Sequence, residues 1–344
     1  MRALVLAGGE GSRLRPLTHT QAKQLIPVAG QPILFHALDA IRDAGITEVG
    51  IVIGHTGPEV RAAVGDGARW HLDVTYLEQE APLGLAHAVM TASDFVRGQP
   101  FLMYLGDNVL LEGVTRFVSE FERTRPDAQI FVAQVAEPEH FGVVELKDGN
   151  AVRLVEKPRE FVSDLALVGV YLFDDSILEA CASLSPSWRG EYEITEAIQW
   201  LIDRGKNVRV EMLDGWWKDT GRPEDLLEAN RMLLAARQGS TEAGDGVVVA
   251  PDAHVSDSRL IGPIVIGPGC RIEGSSIGPD VSLEAGCIVI DSTIRDSIVM
   301  QGCSIRGVES LEGSILGRNV EVRHAVGRNA HRLVVGDQSV VEVD

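Results

Sequence analysis

The stretch IGPIVIGPGCRIEGSSIGPDVSLEAGCIVI, residues 261–290, decides the fold of the C-terminal third of this 344-residue chain. Aliphatic residues recur through it and beyond it at Val249, Val255, Ile261, Ile266, Ile272, Ile277, Leu283, Val289, Ile294, Val299, Ile305, Leu311, Leu316 and Val322. These positions span 73 residues in 13 steps, about 5.6 residues per step. A period near six is typical of a parallel β-helix whose coils have three short faces, and we predict a left-handed one.

Three of the four cysteines share the spacing of these coils. Cys270, Cys287 and Cys303 lie 17 and 16 residues apart, about one coil each. We therefore expect them to stack in one internal column as small core residues. With Cys181, they form neither a CxxC zinc pair nor a disulfide framework, so we expect a cytoplasmic protein.

The composition changes near residue 240. All five lysines and all 18 aromatic residues precede Thr241. The segment 237–240, RQGS, has the character of a helix end followed by a linker. We predict two domains, 1–238 and 239–344, and we find no candidate site in the second.

The first domain alternates buried strands with helices. The strands are ALVLAG (3–8), EVGIVIG (48–54) and FLMYLGD (101–107), and the helices are ILFHALDAIRDAG (33–45) and GLAHAVMTASDFV (84–96). This alternation predicts an α/β, Rossmann-like domain with a mostly parallel sheet covered on both faces. Ligands bind at the carboxyl ends of the strands in such sheets, so the residues directly after strands are candidates for chemistry.

A glycine-rich loop follows the first strand, in LAGGEGSRLRPLTHTQAKQLIPV (6–28). Its glycines let backbone N–H groups surround an anion, and Arg13 adds guanidinium donors for phosphate oxygens. It is not the dinucleotide fingerprint, because Leu14 replaces the third glycine, and it lacks the Gly-Lys-Ser/Thr of a P-loop. Lys23 lies ten residues beyond Arg13. We expect the chain to fold back so that its compact ammonium group lies at the same phosphate site.

Carboxylates occupy other strand ends. Asp107 lies in LGDN (105–108) and Asp219 in WWKDTG (216–221). Mg²⁺ is normally held by one or two carboxylates together with substrate phosphates, so the pair indicates metal-assisted phosphoryl or nucleotidyl transfer. Glu156 and Lys157 in VEKP (155–158) adjoin another strand and are equally consistent with a surface ion pair.

Together with EQEAPLGLAHAV (78–89) and FGVVEL (141–146), these motifs resemble the sugar-1-phosphate nucleotidyltransferases over essentially the whole chain. They are most similar to the long-form glucose-1-phosphate thymidylyltransferases, which carry a C-terminal hexapeptide-repeat β-helix. The resemblance implies Mg²⁺-dependent, in-line attack of glucose 1-phosphate on the α-phosphorus of dTTP, which gives dTDP-glucose and pyrophosphate without a covalent intermediate.

The resemblance also implies a role for individual residues. The nucleotide-binding positions are Gly8, Gly9, Gly11, Ser12, Arg13, Gln79 and Gly84; the sugar-phosphate positions are Gly142, Glu156, Lys157 and Trp217; the metal ligands are Asp107 and Asp219; and the catalytic cations are Arg13, Lys23 and Lys157. Ser12 stands where many relatives have threonine, and Lys218 replaces a commonly apolar residue and is given no role.

The net charge and the apolar segments of the chain limit the classes of partner that it can bind. A formal net charge of −19 argues against a nucleic-acid or anionic-membrane binder, and neither a secretory signal nor a membrane-spanning apolar run is recognisable. We expect dTTP and glucose 1-phosphate as substrates and a homo-oligomer assembled through the β-helix.

Three alternatives remain open. The chain could use UTP or another sugar phosphate, because thymine and uracil differ by one methyl group. The β-helix could transfer an acetyl group, which requires a catalytic histidine, and only His254, His324 and His331 are present there. A catalytically silent subunit is the third alternative, but it would be expected to have lost Arg13, Lys23 or a metal carboxylate.

Overall fold

A computed structural model of the chain describes residues 1–238, 245–324, 333–337 and 340–343. It divides into two compact units. Unit 1 comprises Met1–Gly9 and Leu34–Trp217, and unit 2 comprises Glu10–Ile33 and Lys218–Asp344. Gly239, at the predicted domain boundary, and His331 lie outside the described residues.

The first 238 residues contain eight α-helices, five short 3₁₀ helices and thirteen strands. The α-helices are α1 (Ile33–Asp43), α2 (Gly57–Val64), α3 (Leu85–Thr91), α4 (Ser93–Val96), α5 (Thr115–Thr124), α6 (Ser176–Ala182), α7 (Ile194–Asp203) and α8 (Pro223–Gln238). The strands are β1 (Arg2–Ala7), β2 (Pro27–Val28), β3 (Gln31–Pro32), β4 (Glu48–Ile53), β5 (Asp73–Glu78), β6 (Phe101–Leu105), β7 (Asn108–Leu110), β8 (Ala128–Gln134), β9 (Gly142–Lys147), β10 (Asn150–Glu156), β11 (Leu165–Phe173), β12 (Val208–Met212) and β13 (Trp217–Asp219). In these 238 residues no helix is long and apolar enough to span a membrane, nor is any in the rest of the described chain.

The described part of the C-terminal region consists of short strands. They are β14 (Val247–Val249), β15 (His254–Ser256), β16 (Arg259–Leu260), β17 (Ile264–Ile266), β18 (Arg271–Glu273), β19 (Ser276–Ile277), β20 (Val281–Leu283), β21 (Ile288–Ile290), β22 (Thr293–Arg295), β23 (Ser297–Val299), β24 (Ser304–Arg306), β25 (Leu311–Glu312), β26 (Ile315–Leu316), β27 (Glu321–His324), β28 (Val334–Val335) and β29 (Val340–Val343).

Unit 1 is built on a nine-stranded sheet. β1 pairs in parallel with β4 and β6, and β5 extends this parallel half beside β4. Beyond β6, β11 pairs in antiparallel fashion with β6, β8 and β9. β12 then pairs in parallel with β8, and β10 pairs antiparallel with β9. The predicted strands correspond to β1, β4 and β6, so the Rossmann-like fold is confirmed, with an antiparallel half added to its parallel sheet.

Both helices predicted from the sequence form, one of them with an interruption. The helix predicted at 33–45 is α1, whereas that predicted at 84–96 is divided into α3 and α4 because the backbone of Ala92 (φ −91°, ψ 6°) leaves helical geometry. Helices α3, α6 and α7 pack on one another over a core that includes Leu4, Met103 and Tyr171.

The strands of unit 2 stack into three parallel sheets. Along one sheet, Val265 pairs with Ser282 and Ile298 pairs with Ile315, a shift of 17 residues in each case. One coil of about 17 residues with three faces accounts for the aliphatic spacing of about 5.6 residues. The stack fits a left-handed β-helix, as predicted.

The cysteine column is confirmed. Cys270, Cys287 and Cys303 are buried free thiols, each 0–1% exposed. The thiol of Cys270 donates to the carbonyl of Glu284 (2.9 Å) and that of Cys303 to the carbonyl of Gly317 (2.9 Å). They are core residues of the coils.

Within unit 2, helix α8 covers one face of the β-helix. Every residue of β20 and β23 is buried, and α8 packs on both strands. On the neighbouring sheet, by contrast, Arg271 and Arg306 are exposed. The outward side chains of the covered sheet are accordingly Ser282 and Ile298, which tolerate burial better than charged groups do.

The segment 16–30 contacts successive coils of the β-helix. Its contacts are Gly30 with Val265, Ala29 with Asn230 of α8, Gln21 with Met300, and Thr20 with Asp337. Asn230 is fully buried, and its Oδ1 accepts hydrogen bonds from Ala29 N (2.9 Å) and Ser282 Oγ (2.6 Å). Asn230 Nδ2 donates to the carbonyl of Asp280 (3.0 Å). The segment that carries Lys23 is therefore held by the β-helix and α8.

Candidate active site

Residues from three strand ends gather at the carboxyl edge of the parallel strands of unit 1. Gly8 follows β1, Gln79 follows β5, and Asp107 follows β6. Backbone hydrogen bonds continue past the strands, from Gln79 N to the carbonyl of Ile53 and from Gly106 N to that of Leu6, each 2.9 Å. This edge is where ligands bind in sheets of this class.

The two residues expected at the base lie in one small cluster. Gln79 Nε2 is 3.3 Å from the carbonyl oxygen of Gly84 and 2.9 Å from Nδ1 of His87, which lies on α3. Gly84 has φ +101°, and a Cβ there would come within 2.5 Å of the carbonyl oxygen of Tyr192. Only glycine fits this close approach. His87 was not predicted from the sequence.

Asp107 is oriented by its neighbour. Asn108 is 2% exposed, its Oδ1 accepts a hydrogen bond from Nε1 of Trp217 (2.6 Å), and its Nδ2 donates to Asp107 Oδ1 (2.9 Å). Because an indole N–H can only donate, the amide orientation of Asn108 is fixed. The Trp217 ring also meets Phe141 edge-on, with ring centroids 5.8 Å apart. Trp217 thus contacts both Asn108, which orients Asp107, and Phe141, which precedes Gly142.

A charged cluster surrounds Glu156, which pairs with Gly142 across β9 and β10. Glu156 Oε1 is 3.8 Å from Lys157 Nζ and 3.5 Å from Arg189 Nη1. Arg189 also bonds Glu193 (3.1 Å). The sequence-based alternative of a surface ion pair for Glu156 and Lys157 omitted Arg189, although SWRGEYEIT (187–195) places a lone arginine beside two acidic residues.

Burial raises the pKa of the Glu156 carboxyl above its ordinary value, and repulsion from Glu193 raises it further. Lys157 and Arg189 oppose this rise by favouring the carboxylate. The site therefore holds an acidic group next to two cations, a combination suited to a ligand that carries both hydroxyl groups and a phosphate.

We expect Glu156→Gln to flatten the pH dependence of stability. A carboxyl whose folded pKa lies above its unfolded pKa stabilises the fold most at low pH, and this contribution is lost as pH rises from the unfolded value of 4.5 through the raised folded value. Urea unfolding of both proteins across this range measures the effect. A wild-type protein that instead gains stability relative to the variant as pH rises contradicts the assignment.

Unit 2 holds the other predicted phosphate ligands. Gly11 has φ +64°, and a Cβ there would come within 2.9 Å of both Lys23 Cβ and Thr18 Cγ2, so the glycine lets the loop fold back onto Lys23. Lys23 is 6% exposed and its Nζ lies 3.7 Å from Oδ1 of Asp219. The exposed guanidinium of Arg13 packs on Gly221. Two cations thus flank the segment 219–221.

Asp107 in unit 1 and Asp219 in unit 2 each offer carboxylate oxygen, which suits a hard cation. Carboxylate oxygen is the ligand that Mg²⁺ prefers, and Mg²⁺ usually keeps few protein ligands and completes its shell with phosphate and water. Among the described residues, no group of three or more His, Cys, Asp or Glu side chains is placed to hold a metal ion. The donor chemistry therefore fits a metal that is shared with substrate phosphates.

A glycine-rich loop after the first strand and a buried lysine beside an aspartate are features of enzymes that bind phosphates. The chain belongs to the nucleotidyl transferase family, which it matches over residues 2–236.

Two relatives and one solved structure indicate which kind of nucleotidyl transferase the chain resembles. The chain is 51% identical to a glucose-1-phosphate thymidylyltransferase of Streptomyces griseus, with 100% of this chain and 99% of the relative covered. It is 49% identical to a glucose-1-phosphate thymidylyltransferase of Streptomyces antibioticus at the same coverage. A crystal structure of a putative glucose-1-phosphate thymidylyltransferase from Bacillus anthracis in complex with a sucrose matches 68% of this chain and 95% of that one, at 33% identity and a TM-score of 0.64.

Proposed function

We propose that the protein is a glucose-1-phosphate thymidylyltransferase. A phosphate oxygen of glucose 1-phosphate forms a bond to the α-phosphorus of dTTP, the bond between that phosphorus and the α,β-bridging oxygen breaks, and pyrophosphate leaves with the electron pair. The observation that carries the proposal is the placement of Arg13 and the buried Lys23 on either side of the Asp219–Gly221 segment. Full-length similarity to thymidylyltransferases of two Streptomyces species supports it.

The residues act mainly by positioning and by neutralising charge. In this proposal, Gly8, Gly9, Gly11 and Ser12 present backbone N–H groups to the triphosphate, and Arg13 and Lys23 stabilise the charge that develops around the α-phosphorus. Gln79 and Gly84 bind the base. Glu156 accepts hydrogen bonds from sugar hydroxyls beside Gly142, and Lys157, with Arg189, binds the sugar phosphate.

We further propose that Asp107 and Asp219 hold Mg²⁺. When bound, the ion supplies positive charge to the phosphate oxygens as two polyanions approach each other. Asn108 and Trp217 fix the rotamer of Asp107, and the Lys23 ammonium lies 3.7 Å from the Asp219 carboxylate.

Pyrophosphate release tests the function. We expect release with dTTP and glucose 1-phosphate in the presence of Mg²⁺, slower release with UTP, and little with ATP, CTP or GTP. Omission of the sugar phosphate should abolish release, which excludes simple triphosphate hydrolysis, and EDTA should abolish it reversibly. Faster turnover with UTP, or with another sugar phosphate, would establish the corresponding alternative.

We also propose that the protein is a cytoplasmic homo-oligomer. All four of its cysteines are buried free thiols, as suits a reducing compartment. Light scattering of the full chain tests assembly, and a mass equal to the 37.1 kDa of one chain contradicts it.

A further inference from the structure

The amide of Gln79 has only one possible orientation. The carbonyl oxygen of Gly84 can only accept a hydrogen bond, so the Gln79 atom 3.3 Å from it is the amide nitrogen. That nitrogen also lies 2.9 Å from Nδ1 of His87. Its two hydrogens are therefore directed to Gly84 and His87, and His87 Nδ1 acts as the acceptor.

This arrangement leaves only the carbonyl end of Gln79 for a ligand. Gln79 is half-buried, and its Oε1 lies beside Gly8 of the nucleotide loop, 3.4 Å from the position that a Cβ of Gly8 would occupy. An oxygen presented in this way accepts a hydrogen bond and cannot donate one.

His87 is itself held in place by its surroundings. It lies on α3, its ring stacks on Tyr192 with centroids 6.1 Å apart, and its carbonyl oxygen accepts a hydrogen bond from Thr91 Oγ1 (3.0 Å). Backbone hydrogen bonds connect the segment 83–86, which precedes His87, to the same tyrosine. Tyr192 N donates to the carbonyl of Leu83 (2.7 Å), and Ala86 N donates to the carbonyl of Tyr192 (3.1 Å). The acceptor nitrogen is thus presented to Gln79 by a packed element.

We propose that His87 is a specificity-positioning residue, which fixes the Gln79 carbonyl toward the base and so selects pyrimidines that carry a ring N3–H. Thymine and uracil donate from N3 and satisfy Gln79 Oε1. Cytosine has an unprotonated N3 that accepts, so its lone pair faces the Gln79 oxygen, and both acceptors are left without a donor. The inference rests on the proposed function, since it assumes that Gln79 binds the base.

The experiment measures kcat/KM for dTTP and dCTP with glucose 1-phosphate in His87→Ala and His87→Asn. We expect the dTTP-to-dCTP ratio to fall about tenfold in His87→Ala, because the amide can then rotate and offer its NH₂ group to cytosine. Asparagine places an acceptor oxygen near the position of Nδ1, so His87→Asn should keep most of the ratio.

A double-mutant cycle separates positioning from a structural effect. Gln79→Ala alone should lower the ratio, and adding His87→Ala to it should change the ratio no further, because His87 acts through Gln79. An unchanged ratio in His87→Ala, or an equal effect of His87→Ala with and without Gln79, overturns the inference. Absence of turnover by the wild-type protein with any pyrimidine triphosphate rejects the proposed function instead, and calorimetric affinities for dTTP and dCTP then still test the role of His87.

Discussion

Replacing Lys23 with methionine is expected to lower kcat/KM for dTTP and glucose 1-phosphate by about 10²–10³-fold, the usual cost of removing one preorganised charge-stabilising donor. Lys23 is almost completely buried, so its ammonium group is held in place before substrate binds. Methionine keeps the length and apolar stem of the side chain, and the protein should remain folded. Steady-state kinetics with a thermal melt measure both effects, and Arg13→Ala should act in the same direction.

Lys218→Met is the matched control for this prediction. Lys218 immediately precedes Asp219 but pairs with Asp225 (3.7 Å) and Glu228 (2.5 Å), so its loss should leave turnover close to that of the wild type. A Lys23→Met enzyme within about threefold of the wild-type rate contradicts the role given to Lys23. So does an equal defect in Lys218→Met.

Replacing Asn230 with alanine is expected to lower the free energy of unfolding by about 3 kcal/mol, because three buried polar groups lose their partner and each unsatisfied group costs about 1–3 kcal/mol before relaxation. These groups are Ala29 N, Ser282 Oγ and the carbonyl of Asp280. Turnover should fall as well, since Ala29 lies on the segment that carries Lys23. Urea unfolding and pyrophosphate release measure the two effects.

Arg231→Ala provides the comparison on the same helix. The Arg231 side chain is 40% exposed, and its Nη1 donates to both carboxylate oxygens of Asp296 (2.7 and 2.8 Å). A partly exposed pair of this kind contributes about 1 kcal/mol or less. An Asn230→Ala variant no less stable than Arg231→Ala would show that the buried amide does not hold segment 16–30.

Local pattern was enough to predict much of the fold. The aliphatic period of about 5.6 residues predicts the β-helix because every face of every coil must bury one such side chain. The strand preceding Gly8 and the strand preceding Asp107 were recognisable because both of their faces are covered, which requires continuous apolar runs.

Other features depend on contacts between residues far apart in sequence. Asn230 meets Ser282 across 52 residues, and Arg189 meets Glu156 across 33. Neither pair has a periodic or spacing signal. The orientation of the Gln79 amide depends on a histidine eight residues away whose ring nitrogen could have been a donor or an acceptor. Only the position of the Gly84 carbonyl decides between the two.

The absence of lysine and aromatic residues after residue 240 suggested that the β-helix has no part in phosphate chemistry. Two of its contacts with the segment that carries Lys23 are uncharged on the segment's side. They use the amide of Gln21 and the hydroxyl of Thr20, which bond Met300 and Asp337. Composition does not reveal support of this kind, because it needs no residue type that is unusual in a β-helix.

The spacing of the coils sets a limit on how the β-helix can change in length. Met300 follows β23 and Asp337 follows β28, two strands further along the same sheet, and successive strands lie about 4.8 Å apart. Thr20 and Gln21 are neighbours in the chain, so their two contacts tie one short segment to two different coils. Insertion of one more coil between Met300 and Asp337 would add about 4.8 Å to that distance, which neither hydrogen bond can absorb. An additional coil after Asp337 would leave both contacts in place.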